Sequence, residues 1–268
     1  MKEPVRILSD LHLGHAASTI RDAEELRPLI AGAGTVVFNG DTWQELASAF
    51  RPKSERLLAD LKDLCAELGA EPVFLSGNHD PGWPGAGWLE IAGGKVVVTH
   101  GDAVLWSGSP WSREAFSRGA EVRRLWEEHR GAEDDAGERL RLAREVARTL
   151  KAASVPKGRS LFRRVIDAIS PPRRAWEILA IWFRHGSVSA EFARRYFPQA
   201  ELIVVGHFHW PGIWRGDGPV VINTGAFVNP HPAWWVEWHD GWLRCGRVVA
   251  GPPRQLGEVT GVWRFSPD

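Results

Sequence analysis

The chain of 268 residues carries 33 lysines and arginines against 33 aspartates and glutamates, so its formal net charge is zero. This balance, with 44% hydrophobic and 25% charged residues, excludes an intrinsically disordered chain and a nucleic-acid binder with an overall basic excess. Its apolar runs are too short for a membrane-spanning helix, and the N-terminus lacks the apolar segment of a secretion signal. We therefore expect a cytoplasmic globular protein in which Cys65 and Cys245 stay reduced.

In chain order, the first hundred residues alternate between predicted strands and helices. Short apolar runs predict the strands, and leucines at helical spacing after Ser54, a candidate N-cap, predict a helix that ends near Gly69. Such alternation is typical of an α/β layered sheet. The predicted strands are Val5–Leu8, Thr35–Phe38, Pro72–Leu75 and Lys95–Thr99, and the first predicted helix is Ile20–Ile30.

The middle of the chain, about residues 103 to 197, is predicted to be a helical insertion. It holds 19 lysines and arginines but 12 aspartates and glutamates, a charge of +7, so the remaining residues sum to −7. This asymmetry suggests that the insertion attracts an anionic substrate. Gly131–Gly137 is predicted to be an exposed loop. The predicted helices are Glu121–His129, Arg139–Ala152, one with Leu161, Phe162, Val165, Ile166 and Ile169 on one face, and Arg173–Arg184.

The last seventy residues return to strand patterns. Asp240-Gly241 is a strong signal for a two-residue hairpin. The chain has 15 tryptophans, and we expect Trp234 and Trp238 to pack on one face of a strand and Trp235 on the other. Trp210 and Trp214 are candidates for the wall of a substrate pocket. The predicted strands are Leu202–Val205, Val220–Asn223, Trp234–His239 and Trp242–Val249.

Five groups of potential metal ligands directly follow predicted strands. Taken singly, each could be a turn or a core histidine. Together, they are placed where the strand ends of an open α/β sheet converge on one crevice. Carboxylate, amide and imidazole donors suit manganese, iron, zinc or nickel. The groups are Asp10 with His12, Asp41, Asn78-His79-Asp80, His100 with Asp102, and His207 with His209.

The order of these groups resembles that of the calcineurin-like metallophosphoesterases. The family pattern is D-x-H, G-D, G-N-H-D/E, H and G-H-x-H, and all five elements occur here between Asp10 and His209. The resemblance implies an α/β fold, a four-layer sandwich of two mixed β-sheets flanked by helices. The whole chain, residues 1–268, would form one domain, with the helical insertion as a lid.

The resemblance also implies two divalent metal ions, with manganese expected and iron, zinc or nickel as alternatives. A hydroxide bridging the ions would attack phosphorus, and His79, oriented by Asp80, would be the general acid. His79 could instead be a hydrogen-bonding partner that transfers no proton. One ion would be bound by Asp10, His12, Asp41 and His209, and the other by Asp41, Asn78, His100 and His207.

The substrate class follows from finer resemblances. The Ser9–Leu13 start, the His100-Gly101-Asp102 element and the basic insertion resemble bacterial UDP-2,3-diacylglucosamine pyrophosphatases of lipid A synthesis, which implies a lipid-linked substrate and a peripheral membrane contact. Many of those enzymes carry arginine where this chain has His79, and a histidine favours a phosphomonoester or phosphodiester with a poor leaving group. We therefore expect a metal-dependent phosphoesterase acting on a phosphate-containing small molecule.

Two further alternatives stay open. The Ser9–Gly14 run also resembles that of DNA repair exonucleases, and the basic insertion could bind nucleic-acid phosphates. A non-catalytic scaffold is the other alternative, as in the retromer subunit with this fold, whose metal site is incomplete. Every ligand position is filled here, which favours an enzyme.

Overall fold

The computed structural model describes residues 1–109, 115, 118–150 and 172–265, without the side chains of residues 172–175, 177 and 178. Within these residues, two mixed β-sheets pack face to face, and helices cover both outer faces. The expected α/β sandwich is confirmed.

The strands and helices are numbered in chain order within the described residues. Short 3-10 turns lie at Ala23–Leu26, Asp102–Val104 and Arg130–Glu133. The helices are α1 (Arg27–Ile30), α2 (Arg51–Glu67), α3 (Gly119–Glu128), α4 (Ala136–Leu150) and α5 (Pro172–Tyr196). The strands are β1 (Val5–Leu8), β2 (Thr35–Asn39), β3 (Glu71–Leu75), β4 (Trp88–Ile91), β5 (Val96–Thr99), β6 (Leu202–Val205), β7 (Gly212–Trp214), β8 (Val220–Asn223), β9 (Trp234–His239), β10 (Trp242–Val249) and β11 (Gln255–Arg264).

Each sheet has a parallel centre. The first has the order β11-β10-β9-β1-β2-β3. Strands β1, β2 and β3 are parallel, whereas β9, β10 and β11 each pair antiparallel with the preceding neighbour, β1, β9 and β10. The second has the order β4-β5-β6-β8-β7, with β5, β6 and β8 parallel. Since the carboxyl ends of parallel strands lie at one edge of a sheet, the loops after β1, β2 and β3 leave together, as do those after β5 and β6.

The core between the sheets explains the tryptophans of β9. Trp234 and Trp238 contact the inter-sheet cluster around Ile7 and Val204, whereas Trp235 packs on the opposite face with the helices. This alternation follows from the two-residue period of a strand and confirms the expected packing.

Two predicted helices begin or end elsewhere. The predicted helix Ile20–Ile30 is a 3-10 turn, with an N-cap at Asp22, followed by the single turn α1. Helix α2 begins at Arg51, before the expected cap Ser54, because Pro52 fits the first helical turn. Ser54 lies inside the helix, where its Oγ accepts the backbone N–H of Gln44 at 2.8 Å.

Three strands escaped prediction because their sequences lack a clear alternation. β4 and β7 are short, and β11 is a largely exposed edge strand that contains Gly257 and Gly261. The predicted loop Gly131–Gly137 holds a 3-10 turn and the start of α4. The predicted helix with Leu161 to Ile169 lies outside the described residues.

The described part of the insertion covers the second sheet. Phe192 and Ala193 of α5 pack on Ile203 and Val221, and α3 and α4 form a small cluster of their own. None of the helices that the structure describes combines the length and apolar composition that a bilayer crossing requires. Cys65 and Cys245 are buried and unpaired, and burial raises the pKa of their thiols to about 11 and about 12.

Candidate metal centre

The candidate ligands lie in loops that meet at one edge of the sandwich. The backbone N–H of Asp10 donates to the carbonyl of Gly40 at 3.1 Å, which joins the loops after β1 and β2. Between the sheets, the Asn39 amide donates to the carbonyl of Thr99 at 2.9 Å. These bonds bring loops that are distant in sequence into one crevice.

Strained backbone marks the same crevice. Left-handed conformations of non-glycine residues cost of order 1–3 kcal/mol each and cluster at functional sites. Among the described non-glycine residues, only Ala92 and Asp240 adopt a positive φ outside the candidate ligands. The candidate ligands that adopt it are Asp10 (φ 53°), His12 (47°), Asp41 (49°), His207 (63°) and His209 (56°).

The first cluster contains Asp10, His12 and His209. His209 Nε2 lies 3.1 Å from Asp10 Oδ1 and 3.3 Å from His12 Nε2. Ser9 Oγ donates to Asp10 Oδ2 at 2.5 Å, and the backbone N–H of His207 donates to the same carboxylate. One ligand atom from each of the three residues lies within 4.8 Å of the others, a spacing that one metal ion can bridge.

The second cluster contains Asp41, His100 and His207. His100 Nε2 lies 3.5 Å from Asp41 Oδ1. The His100 Nδ1–H donates to the Asn39 carbonyl and the His207 Nε2–H to the Gly108 carbonyl, both at 3.0 Å. A neutral ring so held presents Nε2 of His100 and Nδ1 of His207 as ligand atoms, as outer hydrogen bonds do in known metal sites.

Asp41 lies between the two clusters. Its Oδ1 faces His100, while Oδ2 lies 3.6 Å from His12 Nε2 and 3.9 Å from His79 Nε2. The residue belongs to two of the candidate metal-binding groups. This is the placement that a bridging carboxylate needs.

Buried acceptors without partners test whether cations fit here. His100 Nε2 and Asn78 Oδ1 are buried and have no hydrogen-bond partner among the described residues. An unsatisfied buried polar group costs about 1–3 kcal/mol, and a bound cation would satisfy both. The donor set of carboxylate, amide oxygen and imidazole also suits such ions, so the residues present fit a metal centre.

The charges within the crevice are strongly coupled. Burial acts to raise the pKa of Asp41, but His100 and His79 hold it well below its usual value. For His100, burial acts in the lowering direction, yet the Asp41 and Asp10 carboxylates keep its pKa well above the ordinary value. Burial, with the nearby His100, lowers the pKa of His207 to about 3. The buried carboxylates of this crevice therefore favour positive charge beside them.

Two glycines allow the backbone to approach the carboxylates. A Cβ added at Gly206 would lie 2.1 Å from Asp10 Oδ2, and one at Gly77 would lie 2.4 Å from Asp41 Oδ1. Real Cβ atoms do not come so close. Both positions therefore require glycine, because any side chain there would collide with a carboxylate.

Asp80, which was expected to orient the His79 imidazole, accepts hydrogen bonds from backbone and indole N–H groups. Asp80 is buried, and its oxygens accept the backbone N–H groups of Asp41 and Thr42 at 2.8 Å, Gly77 at 3.0 Å and the Trp83 indole N–H at 3.1 Å. Burial and the Asp41 carboxylate raise the pKa of Asp80 to about 8, against the opposing effect of these donors. Asp80 instead holds the loops after β2 and β3 together.

Gln44 is the hydrogen-bond partner of His79, although it is not among the site residues that the sequence predicts. Its Oε1 lies 2.9 Å from His79 Nδ1 and its Nε2 3.0 Å from His12 Nδ1. Its one sequence signal is its place three residues after Asp41 in the same loop. Because Gln44 is not a candidate metal ligand, it belongs to no ligand motif whose spacing would mark it in the sequence.

Two further histidines line the rim. The His15 ring lies 6.2 Å from that of His12, and the His231 ring 5.5 Å from that of His209. Burial lowers the pKa of both imidazoles, that of His15 to about 4. Asp102, a candidate partner or substrate contact, is buried and accepts the N–H of Ala103, outside the three candidate metal-binding groups.

Helix α5 reaches this rim. The Trp182 ring lies 5.7 Å from that of Trp210 and 6.4 Å from that of His231. Trp214, by contrast, packs against α5, where its ring leaves no room for a Cβ at Gly186. Of the two tryptophans expected at a pocket wall, Trp210 is half-exposed at the rim and Trp214 supports the helix.

The chain has distant likeness to some solved structures. No family model and no curated protein matches the chain. Similar solved structures include a dimetal phosphatase of Danio rerio, at 13% identity over 98% of this chain and 100% of that one, with a TM-score of 0.45. Two further similar structures are a Streptococcus pneumoniae protein described as a predicted phosphoesterase (15% identity, 96% and 94% coverage, TM-score 0.40) and zinc-complexed Vps29 of Entamoeba histolytica (15% identity, 98% and 99% coverage, TM-score 0.41).

Proposed function

We propose that the chain is a calcineurin-like metallophosphoesterase that hydrolyses a phosphomonoester or phosphodiester at a dinuclear metal centre. The observation that carries the proposal is the position of Asp41 between two ligand clusters, with Asp10, His12 and His209 on one side and His100 and His207 on the other.

The proposed ligands divide between two cations. Manganese is the expected metal, and iron, zinc and nickel suit the same donors. Bound cations would supply an activated water and neutralise the charge that develops on the phosphoryl group. The first cation would be held by Asp10, His12, Asp41 and His209, and the second by Asp41, Asn78, His100 and His207.

His79 is the residue that we assign to proton transfer. Its side chain is 27% exposed, so it faces both the crevice and the approaching substrate. Its Nε2 lies 3.9 Å from Asp41 Oδ2, and its Nδ1 is held by Gln44. A proton at Nε2 can pass to a leaving alkoxide, a step that contributes about 10²–10⁴-fold to the rates of hydrolytic enzymes.

A lipid-linked pyrophosphate, as in UDP-2,3-diacylglucosamine, is the second candidate substrate. Helix α5 exposes an apolar stripe of Trp176, Leu179 and Phe183, which are 74%, 42% and 84% exposed. The same helix places Trp182 beside Trp210 at the rim of the crevice. An exposed apolar stripe on the helix that reaches this rim favours acyl chains and a peripheral membrane contact.

A hydrolysis panel tests these alternatives. Metal-free protein is supplied with Mn²⁺ and assayed on phosphomonoesters, phosphodiesters, acylated nucleotide-sugar pyrophosphates and single-stranded DNA, with the Asp41→Asn variant as the control for contaminating phosphatases. We expect turnover of simple esters that a chelator removes. Turnover of the pyrophosphate alone supports the second candidate, salt-sensitive turnover of DNA alone supports an exonuclease, and no turnover at full metal loading supports a scaffold.

A further inference from the structure

Three aromatic rings from separate segments converge on the rim of the crevice, beside the first ligand cluster. Trp182 comes from α5, Trp210 directly follows the candidate ligand His209, and His231 lies in the loop between β8 and β9. The Trp182 ring lies 5.7 Å from that of Trp210 and 6.4 Å from that of His231. The His231 ring in turn lies 5.5 Å from that of His209. We call Trp182, Trp210 and His231 the aromatic wall.

The backbone on both sides of the aromatic wall is held by packing. At the loop after β6, Pro211 lies against Gly225, where an added Cβ would come within 2.9 Å of the Pro211 Cβ. On α5, the His185 ring packs edge to face on Trp214 at 4.2 Å, and its Nδ1–H donates to the carbonyl of Trp182 at 2.7 Å. Because rigid aromatic side chains lose little conformational entropy on binding, such a surface is well prepared to receive a ligand.

The aromatic wall leaves part of its surface open to a ligand. Trp210 is 51% exposed, although tryptophan side chains are highly buried on average. One exposed tryptophan needs no function, but this one lies beside a second indole and next in sequence to a candidate metal ligand. The planes of the Trp182 and Trp210 rings are inclined by 33°, closer to parallel than to perpendicular. Indole faces of this kind attract planar aromatic rings through offset stacking.

The aromatic wall is separate from the apolar stripe of α5. Successive residues of a helix differ in direction by about 100°, so Trp182 points away from its neighbour Phe183, which belongs to the stripe and is 84% exposed. Trp182 is half-buried, with its ring among the rings of the rim. The two features can therefore bind different parts of a substrate, and the aromatic wall is the one that adjoins a candidate ligand.

We propose that the aromatic wall binds a planar aromatic group of the ester substrate, a nucleobase or a phenyl ring, by stacking beside the reacting phosphorus. One sugar separates the base from phosphorus in a nucleotide, so the base can lie on the wall while phosphorus lies at the metal centre. Trp182 and Trp210 thus determine specificity and take no part in bond breaking. This inference rests on the proposed function, because it places the phosphorus of the substrate between the ligand clusters.

Matched pairs of substrates isolate the effect of the planar ring. The Mn²⁺-loaded full chain is assayed on AMP and ribose 5-phosphate, which share one leaving alkoxide, and on benzyl and cyclohexylmethyl phosphate, whose rings are flat and puckered. Each compound is supplied as the monoester and as its methyl diester. We expect kcat/KM to be about 5- to 100-fold higher for the planar member, the scale of base–aromatic stacking. A preference in the AMP pair alone identifies a nucleobase, and one in the benzyl pair alone identifies a small aryl ring.

Variants of the aromatic wall assign the preference to its residues. Trp210→Ala should abolish it mainly by raising KM, because binding common to the ground state and the transition state is lost. Trp210→Phe, which keeps an aromatic face, should retain part of it. Trp242→Ala is the matched control, because Trp242 lies beside the turn between β9 and β10, near the amino end of β1 and away from the crevice.

Saturation-transfer NMR reads the contact without turnover. With adenosine and benzyl alcohol on metal-free protein, transfer to the aromatic protons of the ligand that the assays favour should be weaker in Trp210→Ala than in Trp242→Ala. Metal-dependent turnover with no preference for a planar member, or a preference that Trp210→Ala retains, would overturn the inference and leave the proposed function intact. No turnover of any ester at full metal loading would overturn the proposed function and the inference with it.

Discussion

Asp41 Oδ1 lies 3.5 Å from His100 Nε2, although Asp41 follows a strand of the first sheet and His100 a strand of the second. These two candidate ligands come from different sheets, so a cation bound between them would connect the two sheets. We therefore expect metal binding to raise the melting temperature, because a ligand of the native state alone stabilises that state.

Asp41→Asn should remove metal from both clusters. The variant keeps the size of the side chain but loses the charge that both clusters share, and we expect turnover to fall by at least about 100-fold. Metal content per chain, measured by mass spectrometry, checks the prediction. The exposed Asp217→Asn is the matched control, and full metal content in Asp41→Asn would contradict the bridging position.

Cation binding should release protons from His100, because a metal ligand must be deprotonated. The carboxylates of Asp41 and Asp10 outweigh burial and keep the pKa of His100 well above its ordinary value, which favours the protonated ring when no cation is bound. Since the cation needs Nε2 without its proton, the apparent affinity should rise with pH up to that pKa. Calorimetry in buffers of different ionisation enthalpy measures the release. A buffer-independent heat would show that His100 binds no metal.

His79→Ala should discriminate between leaving groups. Loss of a general acid costs about 10²–10⁴-fold on alkyl phosphate esters, whose leaving oxygen needs a proton, and much less on p-nitrophenyl esters. The ratio of kcat values on the two ester types checks the role. Equal losses on both would instead assign His79 a structural part through its contact with Gln44.

Gly206→Ala should impair metal binding without unfolding the chain. The added Cβ would lie 2.1 Å from Asp10 Oδ2, so the carboxylate must move out of its cluster. We expect metal affinity to fall by at least about tenfold, the scale set by lost outer-shell contacts. Gly119→Ala, where an added Cβ meets nothing within 4 Å, should leave affinity unchanged. Equal affinities in the two variants would contradict the packing requirement at Gly206.

The parallel strands and the approximate place of the site could be predicted because each depends on a local pattern. β1, β2, β5 and β6 are short buried runs, and a ligand group follows each of them. The edge strand β11 could not be predicted, because its residues are mostly exposed and its pairing with β10 is set by tertiary contacts. Helix α2 begins at Arg51, before the predicted N-cap Ser54, because Pro52 is favoured in the first helical turn. This signal is local, but Ser54 is the stronger N-cap signal in the sequence.

The hydrogen-bond partners of the candidate site residues could not be predicted from sequence spacing, because they are set by the folded positions of the loops. His79 and Asp80 are neighbours in sequence, yet Asp80 points to backbone N–H groups and the His79 ring turns to Gln44. Strand-end motifs indicate which residues enter the crevice. They do not indicate which side chain holds another.

The number of cations bound per chain, measured together with turnover, tests the dinuclear centre most directly. Metal-free protein is titrated with Mn²⁺ while bound metal and hydrolysis of p-nitrophenyl phosphate and its bis ester are followed. We predict two Mn²⁺ per chain, with turnover that rises as the second binds and disappears with a chelator. Full turnover with one ion per chain, or with none, would contradict a centre built on a shared Asp41.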